Sequence, residues 1–271
     1  KFIRISKYYF FLKLLINSLR KSWYKALFLD FLISEIHINF LKNKKTNFST
    51  VFYNGGAHIQ HHYFFNSKKI ISKFKNPTWY INNKEDPFKE MLFFYNRILG
   101  NYFDLKNEYN LIIATGLSQK PYNKIKFYYR LKNHNSFLNK LNIKYTFVQK
   151  LMTRDFFIFF SNNEDRDLSK KILFNITSEK KEKIFNEIES KEKCLFVTLT
   201  YPNEISKNFK IISEELIIDF YKEVNFVAIK NGMHSSRGYF FYSGDISKFK
   251  PENNSHIKSI YNSINNFFDQ K

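Results

Sequence analysis

The sequence predicts an α/β fold, a sheet flanked by helices, with a small α+β subdomain inserted into it. Three observations carry this. Residues 6–41 place apolar side chains at helical spacing, as in Leu27, Phe31, Ile33 and Ile36. Residues 50–117 then run short apolar stretch, loop, helix, apolar stretch, the alternation expected of an α/β sheet. Residues 121–219 switch to shorter strands and helices before the chain returns to strands and a last helix.

Element by element, the pattern is as follows. The helices of residues 6–41 are too short and too interrupted to span a bilayer. "YYFFLKLLI" is about half of the roughly 20 residues needed and carries Lys13, and "ALFLDFLI" is broken by Asp30. "NKKTNFST" is a polar break, and "TVFYN" is a strand candidate ending at Gly55-Gly56. "NPTWYINNKEDP" is a loop by its Pro and Asn content. "PFKEMLFFYNRILGNYF" is a helix with Pro87 suited to its first turn. "NLIIATGL" is a buried strand running into a turn at Gly116. "RDFFIFFSN", "DLSKKILFNI", "KKEKIFNEIES" and "KCLFVTLTY" predict strand, helix, helix, strand. "NFVAIKNGMHSSRGYFFYSGDI" predicts strand, turn, strand, and "SHIKSIYNSINNFF" an amphipathic closing helix. The expected core is therefore residues 1–120 and 220–271, with 121–219 inserted.

Charge alone would suggest a nucleic acid or an anionic membrane, since 44 Lys and Arg face 24 Asp and Glu. The 33 Phe and 18 Tyr beside 7 Gly and 5 Pro instead point to an AT-rich coding bias. The lysines are dispersed along the chain rather than massed, so nucleic acid is disfavoured as a partner. A single cysteine, Cys194, excludes an internal disulfide and a cysteine-based zinc site within these residues. No small-residue cleavage site follows the first apolar run, and a soluble protein of cytoplasm or periplasm is expected.

Three of the seven histidines fall within "HIQHH", residues 58–62. The spacing matches one box of membrane di-iron oxygenases, but that chemistry needs about eight histidines on several membrane helices, and the match is coincidental. Position is more telling. "Asn54-Gly-Gly-Ala-His58" ends a predicted strand, where α/β sheets place ligands. "Gly232-Met-His234-Ser-Ser-Arg-Gly238" sets another histidine in a turn between strands. Two Gly-flanked loop histidines, His58 and His234, can converge on one cation, the glycines allowing close backbone approach. His61 and His62 either share His58's side of a helix and bind substrate anions, or pack against neighbouring aromatics.

The segment G-x-H-x-x-x-G-x-F-x-x-x-G, Gly232 to Gly244, resembles the last metal-binding loop of the alkaline phosphatase superfamily, above all its type I phosphodiesterase and nucleotide pyrophosphatase branch. "NGGAH" has the spacing of that family's D-x-x-x-H metal loop. "LIIATGL" stands where the family has a strand followed by S-D-H-G, and the closing helix is similar too. The resemblance covers roughly residues 20–120 and 220–270. It implies an alkaline-phosphatase-like sheet, incomplete at the N-terminus of this chain, and metal-assisted hydrolysis of a phosphate or sulfate ester, most of all a phosphodiester. The implied metal ligands are His58 and His234, with Asn54 in the place of the family's Asp. The S-D-H-G segment is Ala114-Thr115-Gly116-Leu117 here, a degenerate second metal site that implies a single divalent ion (zinc or manganese), an unusual substrate or an inactive member. The family's nucleophile would precede residue 1.

Around that site, Gln119 could hydrogen-bond a ligand where the family has metal ligands. Arg237 shares the His234 loop, and Arg154 could fork onto a phosphate or sulfate or serve as a surface charge at the start of a strand. The expected substrate is a small-molecule, glycan or lipid phosphoester, in a bacterial setting. The alternative is a non-catalytic basic α/β module that holds an anionic glycan or nucleic acid. There is no G-x-S-x-G elbow, P-loop or G-x-G-x-x-G in the sequence.

Overall fold

The protein is described from a computed structural model, over residues 7–44 and 46–270. Ser6, the first residue of the expected helical stretch, and Lys45 in the polar break lie outside the described residues. The chain opens with helices α1 (Tyr8–Arg20), α2 (Trp23–Asn43), α3 (Gly55–Tyr63) and α4 (Pro87–Phe103), followed by strands β1 (Leu111–Thr115) and β2 (Ser118–Pro121). Next come β3 (Phe127–Leu131), α5 (His134–Lys140), β4 (Phe147–Lys150), β5 (Asp155–Phe159), α6 (Asn163–Asn175) and β6 (Thr177–Ser178). The series β7 (Glu187–Lys191), β8 (Cys194–Thr198), β9 (Lys210–Ser213), β10 (Leu216–Asp219), α7 (Phe220–Glu223) and β11 (Val224–Ile229) follows. The last elements are β12 (Gly232–Ser235), β13 (Tyr239–Ser243) and α8 (Ser259–Asp269).

This is a mixed α/β protein whose strand pairings, among the described residues, are all antiparallel and fall into five small sheets. It divides into two compact units: Lys1–Tyr122 with Asn231–Lys271, and Asn123–Lys230. The second boundary lies downstream of the 219/220 junction expected from sequence. The reason is that β11 pairs with β3 over Val224↔Leu131 to Ile229↔Phe127, which binds residues 224–229 into the second unit.

The first unit is helical at its centre. α1 buries Phe11 and Leu14, α2 buries Trp23, Leu27, Phe31 and Ile38, and α4 buries Met91, Phe94 and Ile98. These spacings of three, four and seven put each set on one helix face, and the faces meet in one hydrophobic cluster that also takes in Ile59 of α3. Pro87 opens α4 without wasting a hydrogen bond, and Asp86 caps it by accepting from Lys89 N at 2.9 Å. Two short ribbons complete the unit, β1 with β13 and β2 with β12. α8 adds Phe267 to a small cluster with Tyr242 and Ile246.

The second unit is built on a four-stranded sheet of order β4-β5-β8-β7 and two smaller sheets. Phe137, Phe156, Phe185 and Phe220 are fully buried and meet ring to ring.

Three local expectations are corrected. "TVFYN" forms no strand. Val51 and Tyr53 are half-buried while Phe52 and Asn54 are exposed, the alternation of an extended segment, but among the described residues no strand pairs with it. "KKEKIFNEIES" is not a helix. Lys181 takes φ 63°, Ile184 and Phe185 bury their side chains together, and Glu187–Lys191 pairs with β8 through a hairpin turning at Glu192, φ 49°. β1 is half-buried to exposed rather than buried, and among the described residues it pairs with β13 alone, in a two-stranded ribbon.

Candidate functional site

The histidines of residues 58–62 lie on α3, a helix of one Gly-Gly turn and few apolar residues that depends on neighbours for its start. The chief neighbour is Asp30 of α2, 3 % exposed. Its Oδ2 accepts from Gly55 N at 2.8 Å and from the Tyr95 hydroxyl at 2.6 Å, and its Oδ1 accepts from Asn54 N at 3.3 Å. The Tyr95 oxygen in turn accepts from Gly56 N at 2.9 Å. A buried carboxylate thus occupies the positive end of the helix and takes up amide protons that have no partner within the helix. Position 55 must be glycine, since a Cβ there would stand 2.6 Å from Asp30 Oδ2. Burial, then the Asp30 charge beside it, pushes the Tyr95 hydroxyl far above its ordinary pKa, so it stays a donor.

The other end of α3 is tied to β12. Asn231 N donates to His61 O at 2.7 Å, and Asn231 O accepts from Tyr122 N at 2.7 Å. The Asn231 side chain is fully buried. Its Oδ1 accepts from Phe65 N at 2.9 Å and Asn76 Nδ2 at 2.8 Å, while its Nδ2 donates to Asn76 Oδ1 at 2.9 Å. This reciprocal amide pair satisfies donors and acceptors that burial would otherwise strand. Asp30 and Asn231 are the positioning residues that sequence reading did not assign. For Asp30 a signal existed, a lone acid inside the apolar run "ALFLDFLI".

With both ends fixed, the helix directs its histidines to two places. His58 and His62, one turn apart, lie ring against ring with centroids 4.5 Å apart. Burial pushes the pKa of both down, even though His58 keeps an exposed edge. His62 falls to about 4, from burial first and then from the charges of His58 and His61. His61 turns instead to β12. Its Nδ1 lies 3.4 Å from Gly232 O and its Nε2 3.1 Å from His234 Nε2. If Nδ1 carries the proton toward the Gly232 carbonyl, the Nε2 lone pair is aimed at His234. The convergence predicted for His58 and His234 is thus made by His61 and His234, because His58 faces His62 one turn along the same helix.

β2 brings Gln119 directly opposite His234 in the ladder. Gln119 Nε2 donates to Ala57 O at 3.2 Å, and its buried Oε1 has no hydrogen-bond partner among the described residues. Gly232 is required here as well, since a Cβ would overlap Gln119 Oε1 and stand 2.7 Å from Gln60 O.

Of the other predicted residues, Asn54 is the exposed N-cap of α3, and its side chain makes no hydrogen bond, to a histidine or otherwise, among the described residues. Arg237 is exposed in the turn between β12 and β13. Arg154 belongs to the second unit, half-buried over the Tyr128 ring. The remaining histidines are elsewhere: His37 bonds Tyr102 and Ser49, His134 packs on Phe156, and His256 accepts from Lys258 N. Among the described residues no three His, Cys, Asp or Glu side chains converge on one point, so the site rests on a pair of imidazoles and an amide. No protein-family model, curated protein or solved structure matches the chain, and the site is defined by its own geometry alone.

Proposed function

We propose that the chain carries part of the centre of a metal-assisted phosphate or sulfate ester hydrolase, a phosphodiesterase of alkaline-phosphatase-like architecture. The observation that carries this reading is the 3.1 Å approach of His61 Nε2 to His234 Nε2. Two nitrogens each about 2.0–2.1 Å from one tetrahedral zinc ion lie roughly 3.3 Å apart, so the pair fits two ligands of a single ion. His61 and His234 would hold it, and Gln119, opposite His234 on the facing strand, offers an Oε1 that has no hydrogen-bond partner among the described residues. A zinc or manganese ion there would polarise a phosphoryl or sulfuryl oxygen as a Lewis acid. The residues of this chain do the positioning. Asp30 and Asn231 fix the two ends of α3, and the Gly232 carbonyl orients the His61 ring in the manner of an outer-shell partner.

A direct N–H···N hydrogen bond also suits 3.1 Å, and metal analysis separates the two. The reading expects one zinc or manganese per chain in protein exposed to either metal, lost in both His61→Ala and His234→Ala and kept in His58→Ala. It further expects the loaded chain to bind an aryl phosphodiester, with binding that falls with the metal. Protein that takes up no stoichiometric ion would sink the metal reading, and a loaded protein that binds the ester no better than the metal-free one would sink the hydrolase reading. A second reading, a non-catalytic basic module for an anionic glycan or nucleic acid, is favoured by the formal net charge of +20. It predicts metal-free binding of polyanions with a steep salt dependence.

A further inference from the structure

The second unit concentrates positive charge at one place. Lys126 stands just before β3 and Lys230 just after β11. The β3–β11 ladder runs to Phe127↔Ile229, and Lys230 N donates to Lys126 O at 2.8 Å, so the ladder's register sets the two lysines directly opposite each other. Directly opposed residues of an antiparallel pair share a face and interact, and like charges there are destabilising. Lys126 and Tyr128 also share that face, being two apart on one strand, and Lys126 Nζ lies 5.8 Å from the Tyr128 ring centroid.

Arg154 completes the group. Its backbone O accepts from Leu199 N and its Nη1 donates to Leu199 O, both at 3.3 Å, which holds the guanidinium 4.6 Å from the same Tyr128 ring centroid. One N–H of the guanidinium is used in this way, leaving Nε and Nη2 for an acceptor. Among the described residues neither Arg154 nor Lys126 forms an ion pair. Burial and then the Arg154 charge lower the pKa of both Lys126 and Lys230, with Lys124 adding to the effect and Glu187 offsetting part of it at Lys126. Most lysines of this chain are dispersed in water. These cations are half-buried and held against one another, an arrangement that a bound anion relieves.

We propose that Arg154 and Lys126, both over the Tyr128 ring, with Lys230 opposite Lys126 on the facing strand, form a binding site for a phosphate or sulfate group, Arg154 supplying a planar fork and the lysines point charges. Arg154 covers one face of the Tyr128 ring, and a fork beside two point charges suits a compact tetrahedral oxyanion. The site uses residues of the second unit alone and does not depend on the histidine reading.

The test is calorimetric titration of the full chain with sodium phosphate and sodium sulfate, against chloride at matched ionic strength. Glycerol phosphate is run beside them, so that tighter binding of the ester or of the free ion identifies the source of the group. One anion per chain is expected. Arg154→Lys keeps the charge but loses the fork and should weaken binding about tenfold or more. Lys126→Gln should weaken it as well, whereas exposed Lys144→Gln and the double variant His61→Ala/His234→Ala should bind as wild type. The proposal is overturned if phosphate and sulfate bind no better than chloride. It is also overturned if Arg154→Lys and Lys126→Gln, with wild-type circular dichroism, bind unchanged, or if the histidine double variant abolishes binding.

Discussion

Replacing Asp30 with asparagine tests whether one buried carboxylate organises the histidine helix. The change keeps shape and volume and removes the charge. Three donors converge on this carboxylate, from Gly55 N, Asn54 N and the Tyr95 hydroxyl. A hydrogen bond to an ionised group nets roughly 1.5–3 kcal/mol and a neutral one roughly 0.5–1.5 kcal/mol, so about 1 kcal/mol is lost at each. The amide adds a conflict, because its –NH2 must face one of those donors, and the attraction between charge and helix N-terminus, about 0.5–1 kcal/mol, goes too. Opposing this, asparagine avoids the desolvation of a buried charge. With three donors supplied and a helix end beside it, the balance falls on the side of the carboxylate, and Asp30→Asn should destabilise the first unit by about 2–4 kcal/mol. Urea unfolding followed by tryptophan fluorescence measures this unit selectively, since Trp23 and Trp79 are the two tryptophans and both belong to it. Asp104→Asn is the control, an exposed position just past the end of α4, where the change should stay within about 0.5 kcal/mol. An Asp30→Asn protein as stable as wild type, or more so, would show that desolvation outweighs the hydrogen bonds and that α3 is held by something else.

Two further outcomes use the same fluorescence. His62 has its pKa pushed down to about 4, so the unfolded chain binds a proton near pH 6.5 that the folded unit takes up only near 4. Stability should therefore be level above pH 6.5 and fall as pH drops from 6.5 to 4, by about 3 kcal/mol more in wild type than in His62→Leu; equal acid sensitivity in the two proteins would refute the burial of His62. Asn231→Ala strands Phe65 N and one side of the Asn76 amide pair, and should cost about 3–5 kcal/mol, with a urea midpoint shift under a quarter of that refuting the network.

Much of the helical framework was legible because it is local. The spacing of Phe11 and Leu14, of Leu27 and Phe31, and of Met91, Phe94 and Ile98 states a face, and Pro87 marks a start. α3 was not legible in that way. It buries Ile59 and Tyr63 among polar neighbours, and its start is fixed by a carboxylate 24 and 25 residues upstream of the amides it caps. The same gap explains the site. Sequence spacing singled out His58, His61, His62 and His234, but which histidine meets His234 depends on how the helix is rotated, and Asp30 and Asn231 decide that through contacts remote in sequence. β2 was hidden for a similar reason, since "SQKP" has no strand propensity and is extended because β12 lies beside it. For Arg154 the sequence offers two readings, an anion fork and a surface charge at a strand entry, while its lysine neighbours carry no signal, since their opposition follows from the register of β3 with β11.

The bond between Tyr122 N and Asn231 O has a consequence for the ordering of the chain. To bring those residues together unaided, the polypeptide would have to close a loop of residues 123–230, an entropic cost on the order of 4 kcal/mol at that length. The intervening unit removes nearly all of it. Its own ladder ends with Lys126 bonded to Lys230, so once that segment is folded only a few residues on one side separate the strands that must meet. The ribbon presenting His234 and Gln119 is thereby closed as if by a short hairpin, and the inserted segment acts as its turn.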